Sequence, residues 1–533
     1  MKKEDKKHPL VNYKNLITRR YFLNISTKGI GLLFGAGLLG TSILKATPFA
    51  SLENKLLKNN EYPFKLGVAS GDPEEDGFVI WTRLIKDVRL PNGAIPDNSQ
   101  LVNWEIATDE SFSNIVQSGK TNTNPFWAHS VHIEVNGLEP SSYYYYRFKT
   151  KSFDSPVGKS KTTPVSNDKL DKLNFAILSC QSYLGGYYTA HEHLAEENLD
   201  VVLFLGDYIY EFKGNEGVGG RIHYPHKLLE TLEDYRLRYA QYKSDPSLQN
   251  IHAAFPWLVT FDDHEVRNNW GGEDDEKSLN RQAAAFKAYY EHMPVRKSAI
   301  PNDYHIQIYR KCSYGDLVDF NILDTRQFRS KPACGSNQTE NCQDRNDPFR
   351  TIFGEQQEEW LFNNLKTSTK RWNILANQVL MAYIDNQQGL GTKVGIDKWD
   401  GFVNSRDRLF STIIENNLKN VVVLTGDSHK NWVNDLKEDF NQPQSRTIAT
   451  EFGGTSLTSG GNGTKKYGGD IMAENPHIKY ASNRRGYVKC TLTPERMQAD
   501  FRTVEYVDRK GAPISTEASF YVKNNEPGAI RLS

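Results

Sequence analysis

The sequence predicts an N-terminal all-β sandwich followed by an α/β domain in which β-sheets are sandwiched by helices. Three observations predict it. From about Phe64 to Thr163 the apolar runs are short, alternating or β-branched, and Gly, Pro and Asn break them up. From Leu173 onward such runs alternate with helical patterns, as in layered α/β proteins. At 533 residues the chain is also long for a single hydrophobic core.

Ahead of these parts, "TRRYFLN" (Thr18–Asn24) places twin arginines before Phe22 and Leu23, and the uncharged stretch Gly29–Leu44 follows. That stretch has signal-peptide length and is short for a spanning helix. The segment closely resembles a twin-arginine export signal, so residues 1–50 are expected to be a signal peptide. The resemblance implies the twin-arginine translocation machinery as a partner. The destination would be the periplasm, the cell surface or the medium, with no stable membrane partner after cleavage. That route carries folded proteins and suits one that acquires a metal inside the cell. Lys+Arg and Asp+Glu are 65 each, so bulk charge gives no support for nucleic acid as a structural partner. Hydrophobic content of 38% fits a globular protein and not a disordered one.

The β domain is expected over residues 60–163. Its strand-like runs include "GFVIWTRL" (Gly77–Leu84), "LVNWEIATD" (Leu101–Asp109), "HSVHIEV" (His129–Val135) and "YYYYRFKT" (Tyr143–Thr150). "VNGLEPSSYYYYRF" (Val135–Phe148) resembles the late-strand turn of a fibronectin III or immunoglobulin-like domain. Ser152–Asp168 reads as a linker. The α/β domain, expected over 172–533, begins with the buried strand "LNFAILSC", the helix "YYTAHEHLAEEN" and the strand "LDVVLFLGD". Then come the strand "PWLVTFDD", the helix "KSLNRQAAAFKAYYEHM", the strand "DLVDFNILDTRQF" and the helix "GEQQEEWLFNNL". The strand "RWNILANQ", the helix "SRDRLFSTIIENNL" and the strand "NVVVLTGDSH" follow, and late runs such as "TIATEFGG" complete a sheet. Of five cysteines, Cys334 and Cys342 share one polar loop and predict a local disulfide. Cys312 and Cys490 sit in strand-like sequence, either paired or as buried thiols, which leaves Cys180.

In the second domain, buried strands repeatedly end in side chains able to bind metal. "FAILSC" ends at Cys180, "VVLFLGDYIYE" delivers Asp207 and Tyr210, "WLVTFDDHE" delivers Asp263 and His264, and "VVVLTGDSH" delivers Asp427 and His429. Sites in α/β sheets gather beyond the carboxyl ends of strands. The acidic run "DDHE" directly after a core strand repels itself unless a cation sits among it. Four such ends in this order predict a metal centre.

These motifs resemble a known family. "GDYIY" matches the Gly-Asp-x-x-Tyr block of calcineurin-like metallophosphoesterases. "DDHE" stands where that superfamily usually has Gly-Asn-His-Asp/Glu, and "GDSH" where it has Gly-His-x-His. With "SCQ", "GVASGDP", "WTRL", "NNW" and "NPHIKYASNRRGY", the chain resembles the alkaline phosphatase D (PhoD-like) family over nearly its whole length. The resemblance implies an α/β metallophosphoesterase domain. It also implies that Cys180, Asp207, Tyr210 and His429 hold one metal. Asp207 would bridge to a second held by Asp263 and Asp427. Oxygen-only ligands suit a hard ion such as Ca²⁺. Thiolate and phenolate, with ordinary pKa values near ~8.5 and ~10, need a strongly polarising ion, and Fe³⁺ fits. Iron with calcium is the pairing the family implies. Asn377, in "WNILANQVL", is a candidate contact behind the ligands.

The resemblance further implies that His264 faces the phosphoryl group and could protonate the leaving alkoxide, with Asn268 and Asn269 nearby as candidate substrate contacts. Glu265 is expected to orient His264 or face solvent. "GGTSLTSG" (Gly453–Gly460) reads as a flexible loop near the site, with no base beside Ser456. The expected activity is an exported alkaline phosphatase in which metal-activated water attacks a phosphate ester. A phosphodiesterase or phospholipase D-type activity from the same centre is the alternative. An inert exported surface-binding protein would have lost one of the six ligands, and none is missing.

Overall fold

A computed structural model describes residues 61–532 except 273–274, 336–337, 341 and 465–466. The twin-arginine segment lies outside the described residues. Strands Leu173–Leu178, Val201–Phe204 and Pro256–Val259 are near-continuous apolar runs, the composition of parallel strands covered on both faces. They pair in parallel, Phe175 opposite Val201 and Val202 opposite Trp257. They form the middle of a ten-stranded sheet. On one side the antiparallel strands Gly486–Leu492, Arg496–Val504, Ile514–Lys523 and Glu526–Arg531 extend it.

A second sheet has seven strands, in the order Arg310–Tyr314, Val318–Ile322, Trp372–Ala376, Val421–Thr425, Thr447–Gly453, Asn431–Lys437 and Ile478–Ser482. The two sheets face each other across a core that includes Phe175, Leu203, Phe320, Ile374, Leu424 and Phe501. The outer face of the first sheet is covered by helices Thr189–Ala195, Leu232–Lys243, Pro246–Ala254 and Glu276–His292. Gly354–Thr367 and Val403–Glu415 cover the second. The helix Glu276–His292 starts where Asp275 accepts from the Ser278 amide, and it buries Ala285, Phe286, Ala288 and Tyr289.

Two of these helices had escaped the sequence pattern. Leu232–Lys243 opens with a capping box between Thr231 and Asp234, but beside Leu237 and Ala240 it buries Asp234, Tyr235, Arg238, Tyr239, Tyr242 and Lys243. Amphipathic side chains of this kind blur the apolar stripe by which a helix is read. Pro246–Ala254 is short and is started by Asp245 and its proline.

Before Thr163, Val68–Glu74, Gly77–Arg83 and Ser130–Val135 form one layer. Ile115–Asn122, Leu101–Ala107, Tyr143–Lys149 and Gly158–Lys161 form a separate four-stranded sheet. The layers share a core of Val68, Phe78, Ile80 and Val131 against Val102, Ile106, Tyr146 and Phe148. The first layer also belongs to the ten-stranded sheet, because Ser70 and Gly71 pair in parallel with Pro256 and Trp257. Cys334 and Cys342 form a disulfide, while Cys180, Cys312 and Cys490 are free and buried.

Candidate metal centre

The centre lies where the carboxyl ends of parallel strands from both sheets meet. Cys180 follows Leu173–Leu178, Asp207 follows Val201–Phe204, and Asp263 follows Pro256–Val259. Asp427 and His429 follow Val421–Thr425 of the second sheet. Four of these residues share a rare backbone state: φ is +59° at Cys180, +56° at Asp207, +57° at Asp427 and +56° at His429. A non-glycine residue held in a sparse region costs on the order of 1–3 kcal/mol, and such strain gathers at functional sites.

The side chains converge. Ligand-type atoms of Cys180, Asp207 and His429 all lie within 4.8 Å of one another, as do those of Asp207, Asp263 and His264, and those of Asp262, Asp263 and Asp427. The Tyr210 hydroxyl donates to Asp207 Oδ2 at 3.0 Å, stands 3.1 Å from His429 Nε2 and 2.6 Å from Ser459 Oγ. Asp207 is the member common to the first two groups. Burial, reinforced by the Asp207 charge, pushes both the Cys180 thiol and the Tyr210 phenol well above their usual ranges. Neither group ionises there unless a cation compensates it.

The donor set fits metal ions. Asp262 Oδ2, Asp263 Oδ1 and Asn377 Oδ1 are buried acceptors without a hydrogen-bond partner, a condition that costs roughly 1–3 kcal/mol per group unless something positive meets it. One half offers thiol, phenol and imidazole, and the other offers carboxylates alone, the split that suits a transition ion beside a hard ion. Asn377 commits its Nδ2 to the Val379 carbonyl at 2.6 Å, which leaves Oδ1 as the acceptor.

The residues of "DDHE" are held by charged and backbone partners, with Arg326 shared by the two aspartates. Asp262 is ion-paired with the buried Arg326. Burial alone would raise Asp263, but Arg326 and His264 outweigh it and hold the carboxyl well below its usual range. His264 Nδ1 lies 2.7 Å from Glu211 Oε2. Burial opposes its protonation, yet Asp263, Asp207 and Glu211 hold the imidazolium well above the ordinary histidine range. Glu265 neither orients His264 nor faces solvent, contrary to expectation. It is buried and accepts backbone N–H bonds from Asp207, Tyr208 and Asp262.

Asn268 is exposed and donates its backbone N–H to Glu211 Oε1 at 2.9 Å; the Asn269 amide donates to Asp263 Oδ2. "GGTSLTSG", expected as a flexible loop near the site, ends a strand at Gly453 and continues as a loop beside the site, packed in rather than free of contacts. Thr455, Ser456, Thr458 and Ser459 are buried, and Ser459 Oγ donates to the Cys180 carbonyl at 2.9 Å.

Four participants were not singled out from the sequence: Glu211, Arg326, Asp397 and Ser459. Arg326 reaches Asp397 at 2.7 Å, Asp427 at 3.5 Å and Asp263 at 3.6 Å. Burial pushes Asp427 up to about 6 although Arg326 pulls the other way. The available signal was "ILDTRQF", another buried strand ending in charge.

Carboxylates, a thiol, a phenol and an imidazole gathered at the strand ends of two packed sheets form a candidate site for metal-dependent hydrolysis. The family model described as PhoD-like phosphatase matches residues 175–501, and that of the PhoD-like phosphatase N-terminal domain matches residues 51–164. The chain is 45% identical over 534 residues to alkaline phosphatase D of Bacillus subtilis (strain 168), covering 97% of this chain and 90% of that protein. A solved structure of PhoD, 47% identical, superposes with a TM-score of 0.86 over 89% of this chain and 92% of that one. The chain belongs to the PhoD-like phosphatase family, and it is a phosphate-ester hydrolase.

Proposed function

We propose that this protein is an exported, metal-dependent alkaline phosphatase that uses Fe³⁺ and Ca²⁺. The observation that carries the reading is the convergence of Cys180, Asp207, Asp263, Asp427 and His429 in overlapping groups whose ligand atoms lie within 4.8 Å. Cys180, Asp207, Tyr210 and His429 would hold the iron, and Asp207 with Asp263 and Asp427 the calcium. Ions held by these residues would supply Lewis-acid polarisation of the phosphoryl group and a water of lowered pKa.

The chain's own residues do the rest. Asp207 sits between the two halves and is shared by them. Glu211 fixes the proton on His264 Nδ1, which leaves Nε2 to protonate the departing alkoxide, a contribution of typically ~10²–10⁴ in rate. The Asn268 and Asn269 side chains are the candidate contacts for the phosphoryl oxygens. Ser459 and Asp207 hold the Tyr210 hydroxyl in place.

The three-plus-four strand order before Thr163 supports the reading of residues 60–163 as a fibronectin III or immunoglobulin-like sandwich. The helix-covered pair of sheets supports the metallophosphoesterase reading of 172–533. The twin-arginine sequence supports export with residues 1–50 as the signal. Chelator-stripped protein is expected to lose turnover on a chromogenic phosphomonoester and to regain it with iron and calcium together. Full activity after exhaustive stripping would end the metal-dependent reading. Faster turnover of the matching diester would move the assignment to a phosphodiesterase.

A further inference from the structure

The strands Val201–Phe204 and Pro256–Val259 run side by side, and their ladder reaches its end where the Thr260 amide donates to the Phe204 carbonyl at 3.0 Å. Beyond that bond the two turns continue in contact. Gly206, at φ +105°, is pressed so closely on the other turn that a Cβ there would lie 2.5 Å from the Asp262 nitrogen. Three amides at this junction, those of Asp207, Tyr208 and Asp262, point away from any sheet carbonyl and must be satisfied otherwise.

Glu265 satisfies all three. Its Oε2 accepts from Asp207 at 3.0 Å and from Asp262 at 2.9 Å, and its Oε1 accepts from Tyr208 at 2.5 Å. A single carboxylate oxygen therefore bonds to both turns. The side chain is buried, so these bonds form in a medium where amide–carboxylate contacts are strong. The residues it fastens stand at the two halves of the centre, since Asp207 joins Cys180 and His429 while Asp263 follows Asp262 directly.

We infer that Glu265 is a positioning residue, a buried clamp that locks the Asp207 turn to the Asp262–Asp263 turn and so sets the spacing of the two candidate cation sites. The inference rests on the metal-centre reading and adds a residue that touches neither ion nor substrate. A glutamine has one carbonyl oxygen in place of two carboxylate oxygens, and its amide group opposes the remaining N–H. E265Q therefore loses part of the clamp without changing the size of the side chain.

The test uses the full chain, stripped with chelator and titrated with calcium alone by calorimetry, alongside amide hydrogen exchange. E265Q is expected to bind calcium at least about tenfold more weakly. Exchange at Asp207, Tyr208 and Asp262 should quicken together while the amides of Val201–Phe204 keep wild-type rates. Calcium affinity within twofold of wild type would overturn the clamp and leave the metal reading intact. A wild type that binds no calcium would instead overturn the metal reading, and the clamp with it. Should E265Q fail to fold, the wild type still decides: rapid exchange at all three amides overturns the inference, and joint protection supports it.

Discussion

The two halves of the centre solve the problem of burying polar groups in opposite ways. Around Cys180 and Tyr210 the groups are neutral until a cation arrives, because burial holds both protons in place and Ser459 and Asp207 satisfy the hydroxyl. Around Asp263 and Asp427 the charge is already present, and a fully buried arginine shared with Asp262 and Asp397 offsets it. The first half can fold quietly without metal. The second depends on Arg326 to keep its carboxylates from repelling one another.

Replacing Asp207, which joins the Cys180–His429 group to the Asp263 group, should have the largest effect. D207N is expected to lower kcat/KM on a phosphomonoester by on the order of 10³ or more, since both proposed cation sites would lose a ligand; turnover near wild type would break the claim that the halves share a residue. The next effect concerns the acid. E211Q removes one of the charges that raise His264, so the imidazolium form would give way at lower pH. The expected outcome is a fall in kcat of about 10–10² at alkaline pH, with the upper limb of the pH–rate profile shifted downward. An unmoved profile would free His264 from Glu211.

R326M sharpens the contrast in stability. Removing one partner of a buried ion pair costs roughly 3–5 kcal/mol, so the chelator-treated variant should melt many degrees below wild type, whereas C180S should melt within a few degrees of it. Equal losses would erase the difference between the halves. The smallest effect lies away from the centre. Burial lowers His132 to about 4 and His191 to about 3, so both rings are neutral in the fold. The unfolded chain takes up those protons first, so the stabilisation is complete above about pH 6.5 and drains away as pH falls toward 4. Denaturant midpoints across that range check it; a flat profile would mean that neither ring is protected.

Legibility followed the same division. Cys180, Asp207, Tyr210, Asp263, Asp427 and His429 stood out as candidates because each follows a buried apolar run at short, fixed spacing, a pattern local enough for the sequence to display, and the fold brings them together. Glu211 and Arg326 were not readable as partners, since they meet His264 and Asp262 across 53 and 64 residues with no periodicity to announce it. Glu265 was visible but misassigned: its partners are backbone amides, which have no residue identity to read. The helix Leu232–Lys243 was missed because tyrosines and charged residues make up most of what it buries.

By itself the sequence determined most of the strands, the helices with a clear apolar stripe, the family resemblance and the candidate ligands, because burial and turn chemistry are written in neighbouring residues. Only the tertiary structure decided which charge answers which, and that the first β layer continues the ten-stranded sheet through the pairing of Ser70 with Pro256. Those outcomes depend on segments far apart in the chain being brought within hydrogen-bond reach, and packing alone sets that distance.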